Sequence, residues 1–259
     1  MTKLISKETI HRLLKDIKQL MREPLHEHGI FYYHDESDVL KGYAMIVGPE
    51  DTPYFGGFYL FNFEFPNNYP FSPPKVTFMT NNGLTRFNPN FYKSGKVCVS
   101  ILNTWSGDKW SSCQTINSIL LTLCSLLNNE PLLNEPGQNI WSNDFIPYQK
   151  SIQFTNIDFA ICDILHINQN ILNNSQTSSV FLTDMKTQFI KNYDKILLCI
   201  NNHISINENV KVNIFAMNTD INYSKLKTKF ENIKKQIDAD TDADTVTDTD
   251  KDINIDKLN

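Results

Sequence analysis

The sequence predicts an α+β fold: an N-terminal helix, an antiparallel meander sheet, a long irregular loop, a central helix and a C-terminal helical extension. Three observations carry this expectation. Apolar residues recur at helical spacing near the start, two-residue alternation follows in segments joined by short turns, and a broad apolar stripe returns after an aperiodic stretch.

The first helix is read from Ile10, Leu13, Leu14, Ile17, Leu20 and Met21, between a cap at Ser6 and a stop near Pro24. Its other face carries His11, Arg12, Lys15, Lys18 and Arg22, the pattern of a solvated face. Tyr43, Met45 and Val47 alternate next, then Tyr59, Phe61, Phe63 and Phe65 against Phe58, Leu60, Asn62 and Glu64, then Val76 and Phe78 about Thr77. Turns at 48–51 and 66–68 are short enough for an antiparallel meander. From Asn81 to Trp110 the chain loses periodicity and gathers Asn, Gly, Pro and Ser, as functional loops do. Ser111 or Ser112 then caps a helix with the stripe Ile116, Ile119, Leu120, Leu123, Leu126 and Leu127.

Beyond Gln138 two more helices are expected, from Phe154, Ile157, Ile161 and Ile164 and from Met185, Phe189, Tyr193, Leu197 and Ile200. An Asn-rich link from Asn168 to Ser179 separates them. Asn201 to Asn222 reads equally as loop or strand, and Leu226, Phe230, Ile233 and Ile237 mark a last helix. The expected organisation is a core domain over 1–150, a helical extension over 151–237, folded onto the core or partly separate, and a disordered Asp/Thr-rich tail over 238–259.

Composition narrows the function. The chain has 259 residues, 41% of them hydrophobic, enough for a sizeable core. A net charge of -5 and a pI near 5.7 argue against a nucleic-acid footprint. With no apolar leader at the start and no run long enough to span a bilayer, the expected compartment is cytoplasmic or nuclear, without membrane attachment. Five cysteines at 98, 113, 124, 162 and 199 show neither paired nor zinc-ligand spacing and read as reduced thiols.

Asn90 and Cys98 put an amide and a thiol in one short loop. A thiolate carries an acyl group, and a carboxamide N–H stabilises the oxyanion formed when an amine attacks it. Losing one such donor costs about 2.7 to 4 kcal/mol in barrier. Asn90 has a second reading, as the residue that holds the loop. Cys113, near a helix start that would lower its pKa, is the rival nucleophile, whereas Cys124, Cys162 and Cys199 read as packing residues. None of the six histidines lies near Cys98 in sequence, so a Cys-His hydrolase is not indicated locally.

The Pro-rich segment from Phe65 to Phe78, followed by Asn88-Pro89-Asn90 and Cys98, resembles the signature of ubiquitin-conjugating enzymes (E2s) over residues 1 to 150 or so. Asn88 departs from the family's usual His, at a position to which the resemblance gives a structural role. The long link holding Trp105 and Trp110, with Asn134-Glu135-Pro136-Gly137, is similar to the large E2s that work with the alternative ubiquitin-activating enzyme. The resemblance implies a four-stranded meander, a thioester of ubiquitin or a ubiquitin-like modifier on Cys98 received from an activating enzyme (E1), and transfer to a lysine. Oxyanion support would come from Asn90, and Glu135, or Asn134 one residue earlier, would be the acidic gate. Ser100 stands where many E2s have Asp. The partner surfaces implied are Arg12 and Lys15 for the E1, and Phe71, Trp110 and Ser111 for a ligase (E3). Phe71 is either exposed as an anchor or packed under its loop. Ser112 replaces a Pro common in ligase-responsive members, which argues against ordinary RING ligases. No metal or bound cofactor is implied, ATP being used by the E1. The rival from another class is a non-enzymatic E2-like ubiquitin-binding module, which normally lacks the cysteine.

Overall fold

The structure, a computed structural model, describes residues 5–166 and 180–252, with side chains through 240. Helix α1 (Lys7–Arg22) starts where Ser6 Oγ accepts from Thr9 N–H at 3.0 Å. Its buried line is Thr9, Leu13, Asp16 and Leu20, so Ile10, Leu14 and Met21 of the predicted stripe face outward. Two polar members are drawn in by the Pro-rich loop. Thr9 Oγ1 donates to the carbonyls of Asn67 (2.8 Å) and Tyr69 (2.9 Å), and the Tyr69 hydroxyl donates to Asp16 at 2.5 Å.

Strands β1 (Ile30–His34), β2 (Lys41–Val47), β3 (Phe58–Glu64) and β4 (Lys75–Phe78) form a four-stranded antiparallel meander in chain order. The β1–β2 turn is set by Asp35, whose carboxylate accepts from Ser37 N–H, Ser37 Oγ, Asp38 N–H and the Tyr43 hydroxyl at 2.7 to 2.9 Å. Those hydrogen bonds, first among them the Ser37 hydroxyl's, hold Asp35 well below the usual carboxylate range. Burial, and then Asp35, push Tyr43 up to about 12.

Both faces of the sheet are covered, which explains why its central strands read as nearly continuous apolar runs. Ala44, Ile46, Tyr59, Phe61 and Phe63 pack with Leu13 and with Ile116, Ile119, Leu120 and Leu123. On the opposite face Phe31, Tyr43, Met45, Val47, Phe58 and Leu60 pack with Ile157, Ile161, Phe189, Ile196, Phe230 and Ile233 of the C-terminal region. Each such side chain, fully buried, is worth about 1.5–3 kcal/mol, so the extension shares a core with the sheet.

Helix α2 (Ile116–Ser125) begins later than the double Ser suggests. Its cap is Thr115, reciprocally bonded with Ser118, while the carbonyls of Ser112 and Gln114 accept from the Arg12 guanidinium and hold the preceding residues out of the helix. Helix α3 (Phe145–Thr155) continues into a π-helical stretch, Asn156–Asp163, buried on nearly every side. Buried Asn156 accepts from the Tyr59 hydroxyl at 2.6 Å and donates to Phe55 O at 2.9 Å. The predicted link at 168–179 lies outside the described residues. Helix α4 (Leu182–Asn202) buries Met185, Phe189, Ile196 and Ile200.

The ambiguous segment resolves into an antiparallel hairpin, β5 (Asn207–Val212) and β6 (Met217–Asn222), so the extension is not wholly helical. Its inward residues Val210, Val212, Met217 and Ile221 are separated by Asn, Asp and Lys, which hid the alternation. Helix α5 (Tyr223–Asp252) buries Leu226, Phe230, Ile233 and Ile237. Its backbone stays helical to Asp252, where the sequence suggests disorder from Asp238. Lys234 pairs with Asp238 one turn on, and Lys186 of α4 pairs with Asp240. Residues 253–259 are not described. Among the described residues, no helix is long and apolar enough to cross a membrane.

Candidate active site

The loop from Asn81 to Trp110 is irregular but anchored from below. Phe87 and Phe91 are fully buried, and Phe91 lies 5.0 Å from Phe78 and 5.2 Å from Phe61, ring centre to ring centre. Asn88, also fully buried, donates through Nδ2 to Leu126 O (2.8 Å) and the Tyr54 hydroxyl (3.0 Å), and accepts from Asn90 N–H (2.9 Å). Its role is to tie the loop to the end of α2. The turn at Tyr92–Lys96 closes through Gly95 in the left-handed region, φ +84°, with its N–H on Tyr92 O at 2.8 Å.

Asn90 and Cys98 are brought together twice. Cys98 N–H donates to Asn90 O at 2.9 Å, and Asn90 Nδ2 donates to Cys98 O at 2.7 Å. The carboxamide therefore holds the loop with one N–H, and a primary amide has a second. Cys98 is only 3% exposed, and its thiol donates to Thr104 O at 3.0 Å. Thr104 is fixed through its hydroxyl, which accepts from Val99 N–H (2.9 Å) and donates to Val99 O (3.0 Å). This cover is part of the two-tryptophan link, and nothing in the sequence pattern marked Thr104.

The rival thiol is differently placed. Cys113 is exposed but stands ahead of the Thr115 cap, outside the first turn of α2 where the helix dipole acts. Burial raises the pKa of Cys124, Cys162 and Cys199, as befits packing residues. The Cys98 thiol is held by a carbonyl, that of Thr104. His34 is bonded to Tyr32 and Val39 O, and His203 to Cys199 O. Among the described residues, no group of three or more His, Cys, Asp or Glu is arranged to hold a metal ion.

Asn134 donates to Leu126 O at 3.0 Å, the carbonyl that Asn88 also uses, and accepts from Asn128. It is therefore a structural tie between this segment and the loop that holds Asn90 and Cys98. Glu135 is half-buried behind the short turn Pro131–Asn134. Burial foremost raises the Tyr148 phenol, and Glu135 adds to that rise. Glu130, exposed at the head of the same turn, is a second acid that sequence reasoning passed over.

Two of the expected partner-binding residues, Trp110 and Arg12, meet at Tyr69. Trp110 Nε1 donates to Pro70 O at 2.7 Å and its ring lies 5.9 Å from that of Tyr69, while the Arg12 guanidinium stands 5.7 Å from the same ring. Arg12 also bonds Asp16 at 2.9 Å and Ser112 O at 2.6 Å. It clamps α1 to the loop before α2 and does not face solvent as its helix position suggested. Phe71 is 74% exposed, which rules out packing under its loop, and Ser111 and Lys15 are exposed as well.

Residues 12–156 match the family described as ubiquitin-conjugating enzyme, and the chain belongs to that family. Among its relatives, ubiquitin-conjugating enzyme E2 Z of Xenopus tropicalis is 40% identical over 192 residues, 73% of this chain and 59% of its own length. The Homo sapiens protein of the same name is 45% identical over 157 residues, 60% of this chain and 44% of its own. Dual E2 ubiquitin-conjugating enzyme/E3 ubiquitin-protein ligase BIRC6 of Homo sapiens is 46% identical over 117 residues, 42% of this chain and 2% of its own. The chain spans three fifths or less of the length of these relatives.

Proposed function

We propose that the chain accepts ubiquitin or a ubiquitin-like modifier from an E1 as a thioester on Cys98 and transfers it to a lysine amine. The observation that carries this is the reciprocal backbone and side-chain bonding of Asn90 and Cys98, in a chain of this family. In the first step the Cys98 thiolate attacks the modifier's carbonyl carbon and the E1 thiolate leaves. In the second a neutral lysine attacks the Cys98 thioester, the free N–H of the Asn90 amide meets the oxyanion, and the intermediate collapses as the C–S bond breaks, the Cys98 thiolate leaves and the nitrogen gives up its extra proton. The first step requires the thiol to leave the Thr104 carbonyl, because an S–H held to an acceptor is not the attacking species. Glu135 is proposed as the carboxylate that accepts the proton the lysine amine gives up, with Glu130 its competitor.

Lys15 and the outward Leu14 and Lys18 of α1 are the proposed E1 contact. Phe71 and Ser111, set on the platform of Tyr69, Arg12 and Trp110, are the proposed ligase contact. The alternative activating enzyme is the proposed donor, supported by the two-tryptophan link.

The test is incubation with ubiquitin, ATP and each type of E1 in turn, followed by a non-reducing gel. A thiol-labile adduct formed only with the alternative enzyme supports the whole reading, and one formed with the common enzyme keeps the reaction but overturns the donor. No adduct with either rejects ubiquitin transfer and favours a different modifier or a binding module.

A further inference from the structure

The tip of the C-terminal hairpin reaches the catalytic loop. Arg86, four residues before Asn90, lays its guanidinium 3.5 Å from the ring centre of Tyr92 and 5.0 Å from that of Phe215. Its Nη2 donates to Pro89 O at 2.5 Å, and its Nε is buried without a hydrogen-bond partner, so the plane is held largely by the two rings. Phe215 is braced behind by Tyr148, 5.3 Å away, whose hydroxyl donates to Arg86 O at 2.8 Å.

The hairpin tip is fixed from both sides. Lys93 Nζ donates to Phe215 O (2.9 Å) and Ala216 O (3.3 Å), and the Asp144 carboxylate accepts from the N–H groups of Asn213 (3.0 Å) and Ile214 (2.9 Å). The gripped residues, Arg86, Pro89, Tyr92 and Lys93, bracket Asn90 in sequence. The core aromatics Phe87 and Phe91 anchor the loop from below, so the hairpin acts on the part they leave free.

We propose that Phe215 is a positioning residue: by closing the stack on Arg86 it fixes the segment carrying Asn90, and through the Asn90–Cys98 bonds it sets the geometry of the reacting loop. This rests on the proposed role of Cys98. The extension is on this view part of the catalytic apparatus.

The experiment compares the full chain with Phe215→Ala and Phe215→Tyr by amide hydrogen exchange and by single-turnover discharge of the charged protein to free lysine. Phe215→Ala is expected to speed exchange of the Cys98 N–H roughly tenfold and leave the α2 amides unchanged. It should also lower the maximal discharge rate roughly tenfold with the half-saturating lysine concentration unchanged. Phe215→Tyr, which keeps a π face, should stay within about twofold of the parent.

Unchanged exchange at Cys98 in the alanine variant overturns the proposal. So does faster exchange throughout the molecule, which marks general destabilisation, or an equal loss of discharge in the tyrosine variant. If the parent chain takes no modifier, the proposed function fails on its own, and the exchange comparison still decides whether the hairpin orders the loop.

Discussion

Asn90 and Cys98 bond each other through backbone and amide, so a variant at either position reads out both chemistry and loop order. Cys98→Ala is expected to abolish charging and leave the melting temperature near that of the parent, checked by gel and thermal unfolding; charging that survives would move the nucleophile to Cys113. Asn90→Ala should slow discharge to lysine more than charging, by a hundredfold or more given about 2.7 to 4 kcal/mol for an oxyanion donor. Equal losses in the two steps would instead assign Asn90 to holding the loop. The Asn90 to Cys98 spacing was legible because it lies within one short stretch of chain. Thr104 was not, since its carbonyl caps the thiol by a loop conformation no periodicity announces. Arg12 misled for a related reason: a helical wheel places a residue on a face but does not show that carbonyls a hundred residues away wait there.

At the scale of elements, the turn between β1 and β2 makes stability depend on acidity. Asp35 is held below its unfolded value of about 3.9, so its contribution is complete above that pH and disappears as pH falls toward its native pKa. Unfolding measured in denaturant between pH 6 and 2 should show a fall on the acid side that is smaller in Asp35→Asn. The π-helical stretch makes a different demand. Asn156→Ala leaves the Tyr59 hydroxyl and the Phe55 carbonyl without their partner in a buried setting, at about 1–3 kcal/mol for each group stranded. Unfolding in urea is expected to show that loss. Helix α2, the three alternating strands and the stripe of α4 were readable from apolar spacing alone. The hairpin was hidden because its solvent-facing positions are Asn, Asp and Lys, residues scarce in strands.

On the scale of the whole molecule, the extension and the sheet share one core, so the boundary drawn near residue 150 divides the sequence but not the packing. Truncation after Ile237 removes no described buried side chain, and the cross-helix ion pair it breaks among the described residues, Lys186 with Asp240, is partly exposed and worth about 0–1 kcal/mol. Charging by that truncated chain should match the parent. Truncation after His166 removes Phe189, Phe230 and Ile233 from the sheet and should give insoluble protein, checked by sedimentation of the expressed chain. The sequence showed that apolar helices follow residue 150. Only the fold shows which face of which strand they cover, because that pairing spans well over a hundred residues.

That coverage imposes an order on biosynthesis. The outer face of the sheet is complete once Leu60 leaves the ribosome, but its last partner, Ile237, emerges 177 residues later. At roughly 5–20 residues per second, a nascent chain carries that apolar face incompletely covered for about 9 to 35 seconds. The half that holds Asn90 and Cys98 emerges before the residues that cover its sheet, so the growing polypeptide presents apolar surface of the kind chaperones bind until Ile237 has followed.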